Sequence, residues 1–431
     1  MAGGARWASR LSGFVLATAL TGIVGFATIP ALIAASGAGE WSLIAFGQAV
    51  GVLGTVLIGW GWAVSGAAEA ALATEEESDA LLLRSIAIRL LLVPPVALVG
   101  GGIALLLAPH DPWLAAMSAV AYSLNGMTAA WFYTGIRAPR LLVLREVLPR
   151  CGAIVIGLVV CALLHSAYPF PPLMAAGVLL GVVLNVRGAG GSFVGLLRRH
   201  GRAPLPELRR QLPALWSMLV STSYVASPMI LVGVLAPQAL VVYALADRLY
   251  RTANMAGLPI LNLLQGSIPA HDPDVFRRRV LRGLRTLLVL GLTGAVAFAV
   301  GAPLVAPLLT NGEYGLPVDL TIAFGVTLMA SYFSQVLGLS VLVALGRVRS
   351  VAISSTVAAV VGVPVLVLGT IHFGATGAAA GVALAEVAVT LYQLWALRDG
   401  LRGLRRSPRT LSVDAPTDRL AGAAGPQGEA A

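Results

Sequence analysis

Apolar runs of more than twenty residues recur along the whole chain, separated by short polar interruptions. A helix needs about 20 mostly apolar residues to cross a bilayer, and runs of that kind lie at 12–35, 41–65, 88–108, 113–135, 148–167, 172–195, 212–235, 238–266, 286–309, 317–345, 350–371 and 375–397. They predict an all-α polytopic membrane protein of about twelve spans, with both termini on one side. The interruptions alternate in character. Gly37–Glu40, His110–Pro112, His165–Pro171, Ala236–Gln238, Asn311–Leu316 and His372–Ala375 carry Glu40, Asp111 and Glu313 but no arginine. Trp41, Trp113 and Tyr168 sit at span ends on that same side, as interfacial aromatics do.

The other interruptions hold the positive charge. All 29 Lys+Arg are arginine, gathered at Arg6/Arg10, Arg84/Arg89, Arg137 to Arg150, Arg198 to Arg210, Arg277 to Arg285, Arg347/Arg349 and Arg398 to Arg409. Short loops rich in Lys/Arg stay in the cytoplasm, so both termini are expected there, in a multi-pass protein of a bacterial cytoplasmic membrane. A hydrophobic content of 58% with 11% charged residues lies outside the soluble range. The net charge of +10 therefore reads as anchors beside anionic headgroups, with membrane lipids and not nucleic acid as the partner. The arginines at 6 and 10 precede a run reaching Ala35, longer than a signal-peptide core, so the first span is expected to be retained. Cys151 and Cys161 share one span, roughly 15 Å apart along it, too far for a disulfide. The histidines lack ligand spacing, so no metal is expected.

The two halves echo one another. The second and eighth spans each lead through a polar segment into a helix, EEESDALLLRSIAIR and HDPDVFRRRVLRGLR, and the fourth and tenth end in GIRAPR and GRVRS. The expected organisation is a six-helix lobe over 1–197, a cytoplasmic linker at 198–211, a second six-helix lobe over 212–397 and a disordered tail at 398–431. Parallel six-plus-six repeats are a transporter architecture, with the site expected near mid-membrane.

Ionisable groups inside a span cost about 2.5–3.5 kcal/mol each on insertion scales and face the bundle interior or water. The eighth span holds YALADRLYRTAN, where Tyr243, Asp247, Arg251 and Asn254 share a helical face. Asp247 and Arg251 have the spacing of a pair; Arg248 points about 100° away and needs another partner or water. Arg187 lies near the cytoplasmic end of the sixth span and can snorkel. Glu386, in GVALAEVAVT, either hydrogen-bonds in neutral form or carries a coupling proton. The seventh span offers Ser217, Ser221, Thr222, Ser223, Tyr224 and Ser227, which suit close helix packing as well as a sugar path. No catalytic constellation is present and the interruptions are too short to carry one, so the chain is not read as an enzyme.

Four stretches resemble the bacterial polysaccharide (O-antigen type) flippases of the multidrug/oligosaccharidyl-lipid/polysaccharide exporter superfamily. They are IPALIAASGAGEWSLIAFGQAV with IGWGW, AWFYTGIRAPRLLVLRE, VVYALADRLYRTANMAGLPILNLLQGSIPA, and VALGRVRSVAISS with FGATGAAAGVALAE. The resemblance implies alternating access and the movement of an undecaprenyl-diphosphate-linked glycan from inner to outer leaflet. It also implies polysaccharide polymerase and glycosyltransferase partners, and no cofactor beyond a coupling ion, H+ or Na+. Arg248 and Arg251 match the basic positions of the family's eighth helix; Arg187 matches no motif and rests on its depth. Asp247, released from Arg251 when phosphate arrives, would gate. A multidrug cation antiporter of the same superfamily is the nearest rival, and would want acidic groups in the first-lobe cavity. The first, second and fourth spans offer only neutral groups such as Thr18, Gln48 and Asn125. A non-transporting scaffold of a polysaccharide assembly complex is the reading from another class.

Overall fold

Runs this apolar must satisfy their backbone internally, and the chain does so with helices throughout; among the described residues there is no strand. The computed structural model describes residues 2–191, 205–268, 272–342, 345 and 347–406. Of the expected linker at 198–211 and tail at 398–431, residues 198–204 and 407–431 lie outside them, while 205–211 and 398–406 are helical. Seven helices are long and apolar enough to cross a membrane, or eight if a bent pair at 208–235 is one span. Large apolar side chains such as Leu98, Leu106, Leu163, Leu304 and Leu308 stay exposed on their flanks, where lipid is the solvent. The protein is a multi-pass membrane protein.

Packing divides the chain into two compact units that interleave along the sequence. One comprises Met1–Arg248, Ala302–Pro317 and Val367–Ala378; the other comprises Leu249–Gly301, Val318–Leu366 and Ala379–Ala431.

In the first unit, α1 (Ala2–Gly59) folds back at Gly37, whose φ of 85° and ψ of 161° suit a residue without Cβ. Its second arm lies against α4 (Pro112–Ser123) through a glycine seam. A Cβ on Gly47 would collide with the Ala115 carbonyl oxygen, and one on Gly51 would stand 2.6 Å from that of Ala119. Small residues are what let two membrane helices approach this closely. The short α2 (Trp62–Leu72) follows a turn at Trp60 and Gly61, and α3 (Glu75–Leu107) starts with a capping box between Thr74 and Glu77. After α4 come a 3-10 turn (Leu124–Met127) and the single-turn α5 (Ala130–Gly135). Next, α6 (Pro139–Leu142) runs through a π turn (Val143–Val147) into α7 (Leu148–Leu164), followed by α8 (Phe170–Gly188). Then α9 (Leu205–Leu235) leads to α10 (Leu240–Ser267), which passes into the second unit after Arg248.

The second unit contains most of α11 (Pro273–Leu309), α12 (Val318–Val336) and both ends of α13 (Val348–Arg406), which folds back at Gly374. Its core includes Phe298 and Phe324, with the Tyr250 ring tilted 34° against Phe324 and its hydroxyl hydrogen-bonded to Ser331 at 3.1 Å. On α11, Ala295 meets Gly325 of α12 so closely that a Cβ there would lie 2.8 Å from its carbonyl.

The arginine-free helix ends fall within a few residues of the apolar runs. Three of the arginine-bearing ends do not. α3 begins at Glu75 where the apolar run begins at 88, α6 at Pro139 against 148, and α11 at Pro273 against 286. Arg, Leu and Glu are good helix formers, so these segments continue as helix after apolarity has run out. Asp272 caps α11, its carboxylate accepting from the N–H groups of Asp274 and Val275 at 2.8 and 2.9 Å. Those two bonds hold its carboxyl below the usual aspartate range.

Candidate functional site: charges within the spans

The apolar run at 113–135 predicts a single straight span, but the helix breaks in its middle. α4 stops at Ser123, a 3-10 turn carries Asn125 and Gly126, and helix resumes at Ala130. Breaking a membrane helix frees backbone groups that water does not reach, so each needs a partner. The Tyr122 carbonyl accepts from Thr55 Oγ1 at 2.7 Å and Asn125 Nδ2 at 2.9 Å. The Gly126 and Thr128 carbonyls accept from Arg89 Nη1 at 3.0 and 2.8 Å. The Ala129 N–H donates to Glu146 Oε1 at 3.0 Å.

Arg89 is thereby fully buried, 1% exposed, and saturated with acceptors. Its Nε donates to the Ser85 carbonyl at 3.1 Å and Nη2 to Ser85 Oγ at 2.9 Å, while its guanidinium carbon stands 5.9 Å from the Trp131 ring centroid. Trp131 in turn stacks on Trp62 at 5.3 Å. Glu146 lies in the π turn, a geometry that often marks functional positions. Thr128 Oγ1 donates to its Oε2 at 2.8 Å, and Asn185 Nδ2 donates to Oε1. Tyr133 donates to Asn185 Oδ1, and Arg145 Nη1 reaches the Tyr133 hydroxyl at 3.4 Å. A cation and a carboxylate thus hold the two sides of one chain break, with Thr128 between them.

Beside Glu146 is a cavity of about 10 Å³, lined by Asn125, Thr128, Arg150, Gly177 and Gly181 as well. It has room for about one water. Asn125 Oδ1 and Arg150 Nε are buried without a hydrogen-bond partner.

The predicted stripe on α10 is helical throughout. Tyr243 and Asp247 are buried, and Arg248 and Arg251 half-buried. Arg248 Nη2 donates to the Gly25 carbonyl of α1 at 2.9 Å, a partner that spacing alone does not supply. Arg187, in the last turn of α8, is exposed, and its guanidinium makes no hydrogen bond or ion pair among the described residues. In the second unit, half-buried Glu386 accepts a hydrogen bond from Ser334 Oγ at 3.3 Å. Asp247, Arg248 and Arg251 thus lie within one and a half turns of one helix, whereas Arg187 and Glu386 stand on other helices.

Arg89, Glu146 and Arg150 are absent from the sequence-based candidates because they fall in arginine clusters that read as anchors. The readable signals are the Asn-Gly pair at 125–126 inside an apolar run and the capping box at Thr74, which starts α3 early enough to sink Arg89. Glu146 also supplies a first-lobe acid where the neutral groups of the first, second and fourth spans suggest none.

Similar structures come from membrane transporters. The chain is similar to the lipid II flippase MurJ in an inward closed conformation, at a TM-score of 0.69 and 14% identity over 90% of this chain and 89% of that one. The eukaryotic MATE transporter AtDTX14 aligns at a TM-score of 0.48 and 16% identity over 91% and 99%. An outward-facing multidrug resistance MATE family transporter of the MOP superfamily aligns at 0.48 and 15% over 93% and 96%. No family model and no curated protein matches the chain. The class defined is a helical membrane protein with the flippase fold.

Proposed function

We propose that this chain is an alternating-access transporter, not an enzyme, moving an undecaprenyl-diphosphate-linked glycan from the inner to the outer leaflet. The cell process is surface polysaccharide biosynthesis, in the cytoplasmic membrane of a bacterium, with twelve spans and both termini inside. The observation that carries the reading is Arg248, a guanidinium held within a span against the Gly25 carbonyl of α1 on the fold of a lipid II flippase. Arg binds phosphate as a planar fork, and its attraction is strongest where water is excluded. Arg251 lies one turn further along, and Arg187 stands at the headgroup end of α8 to meet the lipid on entry. Asp247, four residues before Arg251, gates by releasing that arginine; Glu386 is the candidate for the coupling ion, H+ or Na+. Polymerase and glycosyltransferases would act beside it.

Depletion of the protein followed by surface glycan labelling, complemented with Arg248→Gln or Arg251→Gln, tests this. Export should fall at least about tenfold in each, the loss of one charge-assisted contact. Full export with both arginines neutralised would instead mark a scaffold. Glu146 favours a second reading, a multidrug or organic-cation antiporter, since it is an acid lining a cavity in the first unit. Against it, three donors already occupy that carboxylate. Cation efflux that vanishes in Glu146→Gln while glycan export persists would select the antiporter.

A further inference from the structure

The turn joining α1 to α2 is strained where it meets α9. Trp60 has a φ of 44° and Gly61 one of 82°. A bulky residue in the left-handed region is unfavourable, and it persists where its surroundings hold it there. Here the holder is α9, whose Leu208 carbonyl accepts from Trp60 Nε1 at 2.9 Å. A Cβ on Gly61 would stand 3.0 Å from Gln211 Oε1 and 3.1 Å from the Ala214 Cβ, so α9 lies directly on the bare glycine. Two further bonds follow along α2. Ser65 Oγ donates to Gln211 Oε1 at 3.0 Å, and Arg210 Nη2 donates to Glu69 Oε2 at 2.8 Å. All of this lies within the first unit.

The two partners are held unequally. α2 is fixed: Trp62, 1% exposed, stacks on Trp131, and a Cβ on Gly135 would lie 2.5 Å from the Ala67 carbonyl. α9 is divided, its Leu208–Val220 and Thr222–Leu235 pieces meeting at 42°. The outer piece is packed, with Ala226, Met229 and Val232 buried and Gly233 seated on the Phe46 ring. The inner piece exposes Leu212, Trp216 and Val220 and reaches α2 through the three polar bonds. Water can replace such bonds one at a time, whereas an interlocked seam opens only as a whole. The ion pair adds little, since its Arg210 side chain is 57% exposed. Two features favour release: the strained Trp60 turn, and Gln211 Nε2, buried without a hydrogen-bond partner.

We propose that the inner piece of α9 is a strap, latched on α2 by Trp60, Ser65 and Glu69, whose release opens the cytoplasmic end of the first unit for substrate uptake. The inference rests on the proposed alternating access and orientation, and adds the element that holds the inner side shut. Three weak bonds set against a strained turn give a two-state element, with the unlatched form populated at about 0.1–10%.

The test uses the full chain in nanodiscs, spin-labelled in pairs and read by double electron–electron resonance. Leu72, Leu212 and Leu235 are exposed and Cys151 and Cys161 buried, so labels go to the introduced cysteines. Leu72→Cys with Leu212→Cys should give a second, longer distance, and Ser65→Ala with Glu69→Gln should raise its share about fivefold or more. Leu72→Cys with Leu235→Cys should keep one distance throughout. In cells depleted of the native protein, Glu69→Cys with Arg210→Cys, joined by a bis-methanethiosulfonate, should cut surface glycan export at least about tenfold, and reductant should restore it. Should that cysteine pair not fold, the spin-label pairs decide alone. A single arm distance unmoved by the two substitutions, or export that cross-linking leaves intact, overturns the strap. A wild-type chain that restores no glycan export, while the arm distance still shifts, removes the transport reading and retains the strap.

Discussion

Replacing Arg89 with methionine tests the account of the broken fourth span most directly. Methionine fills a similar length but donates nothing, so four hydrogen bonds vanish, two to the Ser85 carbonyl and hydroxyl and two to the Gly126 and Thr128 carbonyls. The Ser85 carbonyl keeps its helical partner and the Ser85 hydroxyl still donates to the Leu82 carbonyl at 2.8 Å, whereas the two carbonyls at the break lose the donor that Arg89 supplies. Each stranded buried acceptor costs about 1–3 kcal/mol, giving about 2–6 kcal/mol. Relief of guanidinium desolvation reduces that sum, while the loss of a counter-charge near Glu146 adds to it. The expected net is about 3–5 kcal/mol, as for other buried pairs that lose one member. Lysine at the same place keeps the charge but not the fork, and should cost about 1–3 kcal/mol. The assay is reversible unfolding by SDS in mixed micelles, followed by tryptophan fluorescence and far-UV circular dichroism. Adding Glu146→Gln to Arg89→Met should recover part of the loss, because the two groups hold opposite sides of one break. A methionine variant within about 0.5 kcal/mol of wild type would refute the account, since the carbonyls would then have other partners.

At the helix seam, Gly51→Leu should destabilise the first unit by about 1–3 kcal/mol or more in the same assay, because even its Cβ would lie 2.6 Å from the Ala119 carbonyl. Trp60→Phe, which deletes the 2.9 Å bond from Nε1 to the Leu208 carbonyl, should cost about 0.5–1.5 kcal/mol and raise protease cleavage before α9. Tyr168 donates to Asp111 at 2.6 Å, and this bond pushes its phenol up to about 12. The folded state therefore holds that proton more tightly than the unfolded chain. The contact's stabilisation is complete below pH 10 and is lost as pH rises toward 12. In an ultraviolet titration, Asp111→Asn should move one tyrosinate step downward; an unchanged titration would deny the bond.

The arginine-free ends of the helices were legible from sequence because two signals coincide there: apolarity stops and a turn-forming residue follows. Gly37 and Gly374 lie where the turns are read and take the positive φ the turns need. At the starts of α3, α6 and α11 the signals separate. Apolarity reports where lipid tails stop, whereas helix propensity and capping report where the backbone stops hydrogen-bonding, and at Thr74 these are thirteen residues apart, 75 against 88. That gap concealed Arg89, since depth was counted from the apolar run and not from the helix start. Arg248 was legible as an intramembrane charge, but not its acceptor, because a carbonyl 223 residues away leaves no mark in the local pattern. Glu146 and Arg150 were hidden by company, two half-buried groups in a cluster whose neighbours read as anchors.

The bond from the Ala167 N–H to the Glu40 carboxylate, 2.7 Å long, joins residues 127 apart. At about 5–20 residues per second, the ribosome makes Glu40 roughly 6–25 s before the amide that will hold it. In the orientation proposed, Glu40 is already on the far side of the membrane during that interval, solvated by water alone. The Glu40 carboxylate must therefore wait for this partner while four further helices are threaded past it. Formation of the bond records that α8 has arrived, which makes Glu40 a marker of assembly order during synthesis.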